Sequence, residues 1–232
     1  MIAILACMLV QHVDNDIVYT TVGDKKLMLD AYRPATPNKT VVITVHGGEY
    51  VNGSKGGQTA EVCRYLANRG FTCFDIDYRL QKDVGNDLSK VLAASVSDTV
   101  EAFHWVETNC RSYGGDPNRI SILGISGGAV TAMTAAYSKN VGVHACVDIA
   151  GGLFGQQSDI KMGDPPLLII HGLNDKVISI GLARAIQNRA IRQKVPVRFI
   201  QHNGGHKIEL TKEVGRFTLL ESIDSFLRES IK

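Results

Sequence analysis

Short apolar runs alternate with longer segments of helical periodicity along this chain, and no other feature constrains its fold as much. The runs are continuously apolar rather than alternating, which is typical of strands that are buried on both faces of a parallel sheet. They cover residues 41–45, 72–76, 120–125, 143–149, 167–170 and 197–200. We therefore expect these segments to be strands of one sheet.

Segments with helical periodicity lie between and after the predicted strands. They cover residues 58–70, 88–106, 127–137, 181–191 and 217–227. In the segment 88–106, apolar or small residues recur at steps of three and four, as in a helix with one buried face. Residues 17–34 predict two strands joined by a turn at Gly23 and Asp24, an antiparallel hairpin at the sheet edge. The alternation predicts an α/β fold, with helices flanking a mostly parallel, doubly wound sheet of about eight strands.

Chain length and charge limit the domain count and the partners. At 232 residues the chain has a size that single α/β domains commonly reach, and we expect one domain over residues 16–232. No apolar stretch approaches the roughly 18 residues that a membrane span needs. The 25 Lys and Arg residues against 23 Asp and Glu residues give a net charge of +2 without basic blocks, so we expect no nucleic-acid partner. A homodimer stays open, because edge strands and the last helix could pair.

Residues 1–15 form an apolar N-terminal segment whose role the sequence leaves open. Residues 2–10 have the length of the apolar region of a signal peptide, but no Lys or Arg precedes them and no A-x-A-like cleavage site follows. A signal remnant therefore stays open, and with it either a cytoplasmic or an exported location. The cysteines include no close pair, so we expect buried thiols rather than a disulfide framework or a zinc site. They are Cys7, Cys63, Cys73, Cys110 and Cys146.

Loops that follow strands are the place to look for chemistry, because doubly wound sheets bind ligands at the carboxyl ends of their strands. Four such loops carry polar or glycine-rich sequences. They read HGGEYVNGSKGG from residue 46, GISGG from residue 124, HGLNDKV from residue 171 and QHNGGH from residue 201. We expect all four at one edge of the sheet, with His171 itself as a strand-end histidine that makes a structural hydrogen bond.

Residues 124–128 have the pattern G-x-S-x-G, in which a sharp strand-to-helix turn exposes the serine hydroxyl in strained backbone geometry. We expect the three glycines of this segment to stand where a side chain would clash. A serine hydroxyl needs a histidine base, which a carboxylate orients. Ser126, Asp175 and His206 occur in the order serine, acid, histidine that this architecture uses. The sequence thus predicts these three as catalytic residues.

Other residues compete for the acid and base roles. Asp148 lies in an apolar run and could be a buried strand-end carboxylate, whereas Asp164 precedes two prolines, where a turn is usual. His202 is nearer its strand than His206 is. We favour Asp175 because its loop follows the penultimate strand at a suitable length. We favour His206 because two preceding glycines let its loop curl toward the serine.

Attack on a carbonyl group places negative charge on its oxygen, which fixed backbone N–H groups must meet. In this pattern one donor is the residue after the serine, Gly127, and the other comes from the loop after the third strand. His46, Gly47 and Gly48 follow the run 41–45 and supply that loop. We expect Gly47, Gly48 and Gly127 to form an oxyanion hole, and we expect neither a metal ion nor another cofactor.

These motifs together resemble the α/β-hydrolases, and among them the carboxylesterases similar to hormone-sensitive lipase. HGGEYVNGS is similar to their H-G-G-G oxyanion loop, and FDIDYRL to their D-Y-R-L strand end. GGDPNRISILGISGG is similar to their nucleophile segment, and HGLNDKV to their acid loop. The resemblance runs from about residue 17 to the C-terminus, and it implies the α/β-hydrolase fold with the triad and oxyanion glycines already named.

The chain departs from this pattern in two places. Glu49 stands where the third glycine of the H-G-G-G loop would be, as in kynurenine formamidases and some feruloyl and acetylxylan esterases. The resemblance therefore makes Glu49 and the aromatic Tyr50 candidate substrate-binding residues, although Glu49 could equally be a solvated loop carboxylate. Only residues 151–166 separate two strands where a cap is often inserted, so we expect a minimal cap or none and an open site.

The resemblance implies a serine carboxylesterase that acts on small-molecule esters through an acyl-enzyme intermediate. Short-chain acyl esters, or aryl and sugar esters, are the expected substrates. Two alternatives stay open. One is an N-formyl amide hydrolase similar to kynurenine formamidase, which would use the same machinery, and the other is a non-catalytic ligand-binding relative of the same fold.

Overall fold

Within residues 12–230, which the computed structural model describes, the chain forms ten strands and six α-helices. The strands are β1 (His12–Val22), β2 (Lys25–Arg33), β3 (Lys39–Val45), β4 (Thr72–Ile76), β5 (Gly115–Ile125), β6 (Cys146–Ile149), β7 (Leu167–Gly172), β8 (Val197–His202), β9 (Glu213–Val214) and β10 (Phe217–Thr218). The helices are α1 (Gly57–Ala67), α2 (Gln81–Val84), α3 (Leu88–Asn109), α4 (Gly127–Met133), α5 (Ile180–Arg192) and α6 (Leu219–Ser230). Strands and helices alternate along most of the chain, as the sequence predicts.

Eight of these strands form one sheet in the order β1-β2-β4-β3-β5-β6-β7-β8. The six strands from β4 to β8 in this order run parallel. The hairpin of β1 and β2 is antiparallel and joins the sheet through an antiparallel pair between β2 and β4. The predicted sheet of about eight mostly parallel strands, with a hairpin at its edge, is confirmed. The carboxyl ends of the parallel strands consequently lie at one edge.

Both faces of the sheet are covered by helices. Alternate residues of a strand point to opposite faces, so Val41 of β3 and Leu167 of β7 pack in one core while their neighbours Val42 and Leu168 pack in the other. Helices α3, α4 and α5 contribute side chains to the first core, and α1 and α6 contribute to the second. This burial on both faces explains why the strand sequences are continuously apolar.

Several boundaries differ from the expected ones, and for three of them the strand pairing or the helix geometry shows how. Strand β6 begins at Cys146 rather than at residue 143, because it pairs with its two neighbours over four residues only. The helix expected over residues 127–137 ends as α4 at Met133 and continues as one π-helical turn over Thr134–Ser138. The last helix begins at Leu219 rather than at residue 217, because β9 and β10 form a two-stranded sheet directly before it.

The connection from β6 to β7 contains a single turn of 3₁₀ helix, Gln157–Asp159, and no larger element. This agrees with the expectation of a minimal cap over the described part of the chain. No helix within residues 12–230 is both long and apolar enough to cross a bilayer. The four cysteines of this range are buried and free, while Cys7 and the apolar residues 2–10 lie outside the described residues. Of the expected N-terminal segment 1–15, the last four residues belong to β1.

The turn from β5 into α4 depends on two glycines. A Cβ atom on Gly124 would lie 2.2 Å from the carbonyl oxygen of Gly128 and 2.4 Å from Cα of Ala129. A Cβ atom on Gly128 would lie 2.2 Å from the carbonyl oxygens of Val45 and His46. Because these are backbone atoms, they cannot move aside without moving a strand or a helix. Only glycine fits at both positions, as the sequence analysis expects.

The third glycine of this turn is different. A Cβ atom on Gly127 would meet the Tyr50 ring at 3.5 Å, which is an ordinary van der Waals contact. The expected clash is therefore wrong for Gly127. Between these glycines Ser126 has φ 55° and ψ −121°, a sparsely populated conformation that costs about 1–3 kcal/mol. The packing of the turn must supply that free energy.

Replacing Gly124 or Gly128 by alanine will lower the free energy of unfolding by about 2 kcal/mol or more, since the added methyl group meets backbone on both sides. A matched control is Gly181→Ala in the first turn of α5, where the nearest atom is the Ser179 hydroxyl at 3.3 Å. The free energy of unfolding of that variant should stay within about 0.5 kcal/mol of the wild-type value. Urea unfolding measures this free energy for the three variants. Equal losses in Gly124→Ala and Gly181→Ala would contradict the packing argument.

Candidate active site

Three loops at the carboxyl edge of the sheet bring Ser126, Asp175 and His206 together. Ser126 stands in the turn after β5, Asp175 in the loop after β7 and His206 in the loop after β8. The Ser126 hydroxyl oxygen lies 2.8 Å from Nε2 of His206, and Nδ1 of His206 lies 2.8 Å from Oδ2 of Asp175. Residues far apart in the sequence thus form one continuous hydrogen-bonded row.

Asp175 is buried and accepts three hydrogen bonds, two from its own loop and one from the next. Its Oδ1 atom accepts from the backbone N–H groups of Val177 and Ile178, at 2.8 and 2.9 Å. Burial alone would raise the pKa of Asp175, but the hydrogen bond from His206 and those from Ile178 and Val177 outweigh burial and hold this pKa below its ordinary value. The carboxyl group is therefore ionised and can only accept hydrogen bonds near neutral pH.

An ionised acceptor at Asp175 sets the proton positions of the row. Nδ1 of His206 must donate to Oδ2, so Nε2 of the neutral imidazole is an acceptor. Nε2 then accepts the hydrogen bond from the Ser126 hydroxyl. The row can accordingly take a proton from Ser126 while Asp175 stabilises the imidazolium that results.

The acid loop and the histidine loop are joined through their backbones. Leu173 N–H donates to the carbonyl oxygen of His202, and Asn174 N–H donates to that of Gly204, both at 2.9 Å. A Cβ atom on Gly172 would lie 2.5 Å or less from the carbonyl oxygens of Gly204 and Gly205. The two loops therefore move together, which fixes the position of His206 relative to Asp175.

The glycine loop after β3 lies directly against Ser126. A Cβ atom on Gly47 would be 3.2 Å from Cβ of Ser126. Gly48 has φ 118°, and its carbonyl oxygen accepts from the N–H groups of Val51 and Asn52, each at 3.0 Å. This hydrogen-bonded turn fixes the loop beside the serine. The structure thus brings Gly47, Gly48 and the first residue of α4, Gly127, to the same place.

Ser126 and His206 line a cavity of about 360 Å³. Its walls come from the loop after β3, the start of α1, the serine turn and the histidine loop. The lining residues are His46, Gly47, Gly48, Glu49, Ser54, Gly56, Gly57, Gln58, Thr59, Ile125, Ser126, His206 and Lys207. Ile125 is the one aliphatic side chain in this set. Ser54, Gln58, Thr59 and Lys207 were not foreseen, although all of them stand within or beside the motifs that the sequence analysis singled out.

The two candidate substrate-binding residues lie in different places. Glu49 is exposed in the cavity wall and, within the described residues, makes no hydrogen bond or ion pair. Tyr50 is buried behind the wall, where its hydroxyl donates to the carbonyl oxygen of Gly127 at 2.7 Å and lies 3.1 Å from the side-chain hydroxyl of Thr131. Burial raises the pKa of Tyr50 to about 12. The structure therefore gives Tyr50 a supporting contact under α4 and leaves Glu49 facing the cavity.

The rival acids lie outside the hydrogen-bonded row. Asp148 is fully buried at the end of β6, where its Oδ1 accepts from Gly151 N–H at 2.9 Å. Burial outweighs this hydrogen bond and raises the pKa of Asp148 to about 7. Asp164 accepts from Lys161 N–H at 2.7 Å in a surface turn, as expected from the prolines that follow it.

Two other histidines are buried at the ends of β7 and β8. His171 makes the expected structural hydrogen bond, with Nε2 2.8 Å from the carbonyl oxygen of Ile178. Neither ring nitrogen of His202 has a hydrogen-bond partner within the described residues. Burial lowers the pKa of His202, and the positive charge of Lys212 lowers it further. His202 therefore has no contact through which it could act as base for Ser126.

Comparison with known proteins gives the family. A family model described as BD-FAE matches residues 29–151, more than half of the chain, so the chain belongs to the BD-FAE family of the α/β-hydrolase superfamily. Esterase LipC of Mycobacterium tuberculosis is 25% identical over 72% of this chain and 52% of its own length. The probable carboxylic ester hydrolase LipM of the same organism is 30% identical over 55% of this chain and 29% of its own. The chain thus spans about half the length of LipC and less of LipM.

Solved structures share the whole fold. Thermogutta terrifontis esterase 2, phosphorylated by paraoxon, superposes with a TM-score of 0.78 at 21% identity and covers 94% of each chain. The same organism's Est2 with butyrate bound gives a TM-score of 0.78 at 22% identity, again over 94% of each chain. These likenesses confirm the α/β-hydrolase fold that the sequence resemblance implies.

The buried carboxyl group of Asp148 should make stability depend on pH. Because its pKa is raised from 3.8 to about 7, the native state keeps this proton while the unfolded chain loses it. The wild type therefore loses about 1.4 kcal/mol per pH unit from this group as pH rises from about 4 to about 7. Asp148→Asn keeps an oxygen for Gly151 and has no such loss.

We expect the stability of Asp148→Asn, relative to the wild type, to increase steadily between pH 4.5 and pH 7.5. Urea unfolding of both proteins at several pH values measures this difference. A difference that does not change with pH would contradict the raised pKa of Asp148.

Proposed function

We propose that this chain is a serine carboxylesterase in which Ser126 is the nucleophile, His206 the general base and acid, and Asp175 the residue that orients His206. The observation that carries the proposal is the row of two 2.8 Å contacts, Ser126 to His206 and His206 to Asp175. This row opens into a cavity that is lined by both Ser126 and His206. Membership of the BD-FAE family and likeness to esterases support the ester bond as the target.

Acylation begins when the Ser126 oxygen attacks the ester carbonyl carbon and its proton passes to Nε2 of His206. The tetrahedral intermediate collapses, the bond to the alcohol breaks, and His206 returns the proton to the departing alkoxide. A water molecule then attacks the acyl-enzyme and gives its proton to His206. The bond between the acyl carbon and the Ser126 oxygen then breaks, His206 returns the proton to that oxygen, and the carboxylic acid leaves.

The oxyanion of both steps needs donors that are fixed before the reaction. We propose that the backbone N–H groups of Gly127 and of the Gly47–Gly48 loop serve this role. The hydrogen-bonded turn at Gly48 and the Tyr50 hydroxyl on Gly127 hold these groups still. One such donor contributes about 3–4 kcal/mol to the transition state in enzymes of this kind.

Cavity size and lining favour small substrates. A volume of about 360 Å³ with one aliphatic side chain, Ile125, offers little apolar surface to a long acyl chain. A butyrate-bound esterase of the same fold is consistent with a short acyl group. We propose short-chain acyl esters as substrates, with the unpaired carboxylate of Glu49 contacting the substrate across the cavity. Tyr50 would support Gly127 from behind the cavity wall, through its hydrogen bond to the Gly127 carbonyl oxygen.

Ser126→Ala should abolish hydrolysis of p-nitrophenyl esters, with a loss of kcat on the order of 10⁴-fold or more, because no nucleophile remains. Across acetate to decanoate, the wild type should be fastest on acetate or butyrate. Ser121→Ala is the matched control, because Ser121 is buried on the same strand and its hydroxyl has no hydrogen-bond partner within the described residues. That variant should keep its activity.

Two results would count against the proposal. Activity that survives in Ser126→Ala would remove the serine from the mechanism. If the folded wild type hydrolysed formylkynurenine but no ester, the same three residues would act on an N-formyl amide instead of an ester.

A further inference from the structure

A second histidine contacts the acid of the row from its buried side. Nε2 of His171 lies 3.3 Å from Oδ2 of Asp175, and both side chains are fully buried. The same nitrogen lies 2.8 Å from the carbonyl oxygen of Ile178. Oδ2 of Asp175 is also the atom that accepts from His206. Two imidazoles, one from strand β7 and one from the loop after β8, thus share one carboxylate oxygen.

The neighbours of His171 determine which of its nitrogens carries the proton. A carbonyl oxygen and an ionised carboxylate are acceptors only, so Nε2 must carry a hydrogen in order to lie between them. Nδ1 of His171 is then the unprotonated nitrogen, and it has no hydrogen-bond partner within the described residues. Nε2–H of His171 consequently donates to the Ile178 carbonyl oxygen and lies within electrostatic reach of Asp175.

These contacts close a ring around the Asp175 carboxylate. His171 holds the Ile178 carbonyl oxygen, and Ile178 N–H holds Oδ1 of Asp175 at 2.9 Å. The remaining oxygen, Oδ2, lies against Nε2 of His171 and accepts from His206. Rotation of the carboxylate about its χ2 angle would break contacts on both oxygens. Because His171 belongs to β7, which pairs with strands on both sides, the ring is anchored in the sheet.

We propose that His171 is a positioning residue for the reaction, whose Nε2–H group clamps the Asp175 carboxylate so that Oδ2 faces His206. This inference rests on the proposed serine mechanism. A clamp of this kind acts on the chemical step rather than on substrate binding, since His171 does not line the cavity.

Another buried histidine, His202 at the end of β8, lies near this ring. A Cβ atom on Gly204 would come within 2.6 Å of the His202 imidazole. Lys212, His171 and Asp175 all act electrostatically on His202. On the cavity side are His206 itself, Lys207 and Glu49. His202 makes no hydrogen bond to Asp175, which makes it a comparison for the loss of a buried imidazole without loss of the clamp.

The test uses two amides that differ by one methylene group. In His171→Gln the side-chain N–H₂ group can occupy the position of Nε2, whereas in His171→Asn it is too short to reach it. Both variants are polar and similar in size, so they share the cost of replacing a buried ring. His202→Asn controls for that cost on the neighbouring strand. Rates with p-nitrophenyl butyrate are normalised to the burst of p-nitrophenol, which counts the active molecules.

His171→Asn should lower kcat by roughly 10- to 100-fold with KM little changed, because Oδ2 no longer holds His206 in place. His171→Gln should recover most of kcat, because its N–H₂ group restores the contact with Oδ2. His202→Asn should leave kcat near the wild-type value.

Equal losses of kcat in His171→Asn and His171→Gln, or a loss that appears in KM rather than in kcat, would overturn the clamp. An equal loss of kcat in His202→Asn would reduce it to a general effect of buried imidazoles. Failure of the serine mechanism is a separate result, since it would appear as hydrolysis by Ser126→Ala under the same conditions.

Discussion

The close backbone contact at the turn from β5 to α4 is the constraint on which the rest of the site depends. Gly124 and Gly128 let the helix start against the strand at a distance that no side chain would allow. Ser126 is held between them at positive φ, with the Gly47 loop directly beside it. The two glycines, the strained backbone of Ser126 and the position of its hydroxyl therefore belong to one packing arrangement. The free energy that stabilises it comes from apolar packing on both faces of the sheet.

Asp175 and His206 are held in place in a different way, through the backbones of their loops. The loops after β7 and β8 share backbone hydrogen bonds, and both begin at ends of paired strands. Asp175 is ionised because three N–H hydrogen bonds outweigh its burial, and that charge selects the tautomer of His206. His171 of β7 adds a further contact to Asp175 from within the sheet. Asp175 thus orients His206, and the backbone of its own loop orients Asp175.

The sequence predicted the sheet and the three loops well because these signals are local. Continuous apolar runs, glycines and short motifs identify β3 to β8 and the residues Ser126, Asp175 and His206 without any tertiary information. Features that depend on contacts between distant parts of the chain gave no such local signal. The Tyr50 hydroxyl donates to the Gly127 carbonyl oxygen behind the cavity wall. Lys207 lines the cavity, and its place beside His206 is its one signal in the sequence. The start of α6 was missed because β9 pairs with β10 directly before it.

The central claim is that Ser126 is the nucleophile of this row. Incubation with paraoxon followed by peptide mass spectrometry tests it most directly, because a diethylphosphoryl group stays on the oxygen that attacks phosphorus. We expect one adduct per chain, on the peptide that contains Ser126, with loss of activity in proportion to labelling and no adduct in Ser126→Ala. A stoichiometric adduct on any other residue, or full labelling of Ser126 with hydrolysis retained, would contradict it.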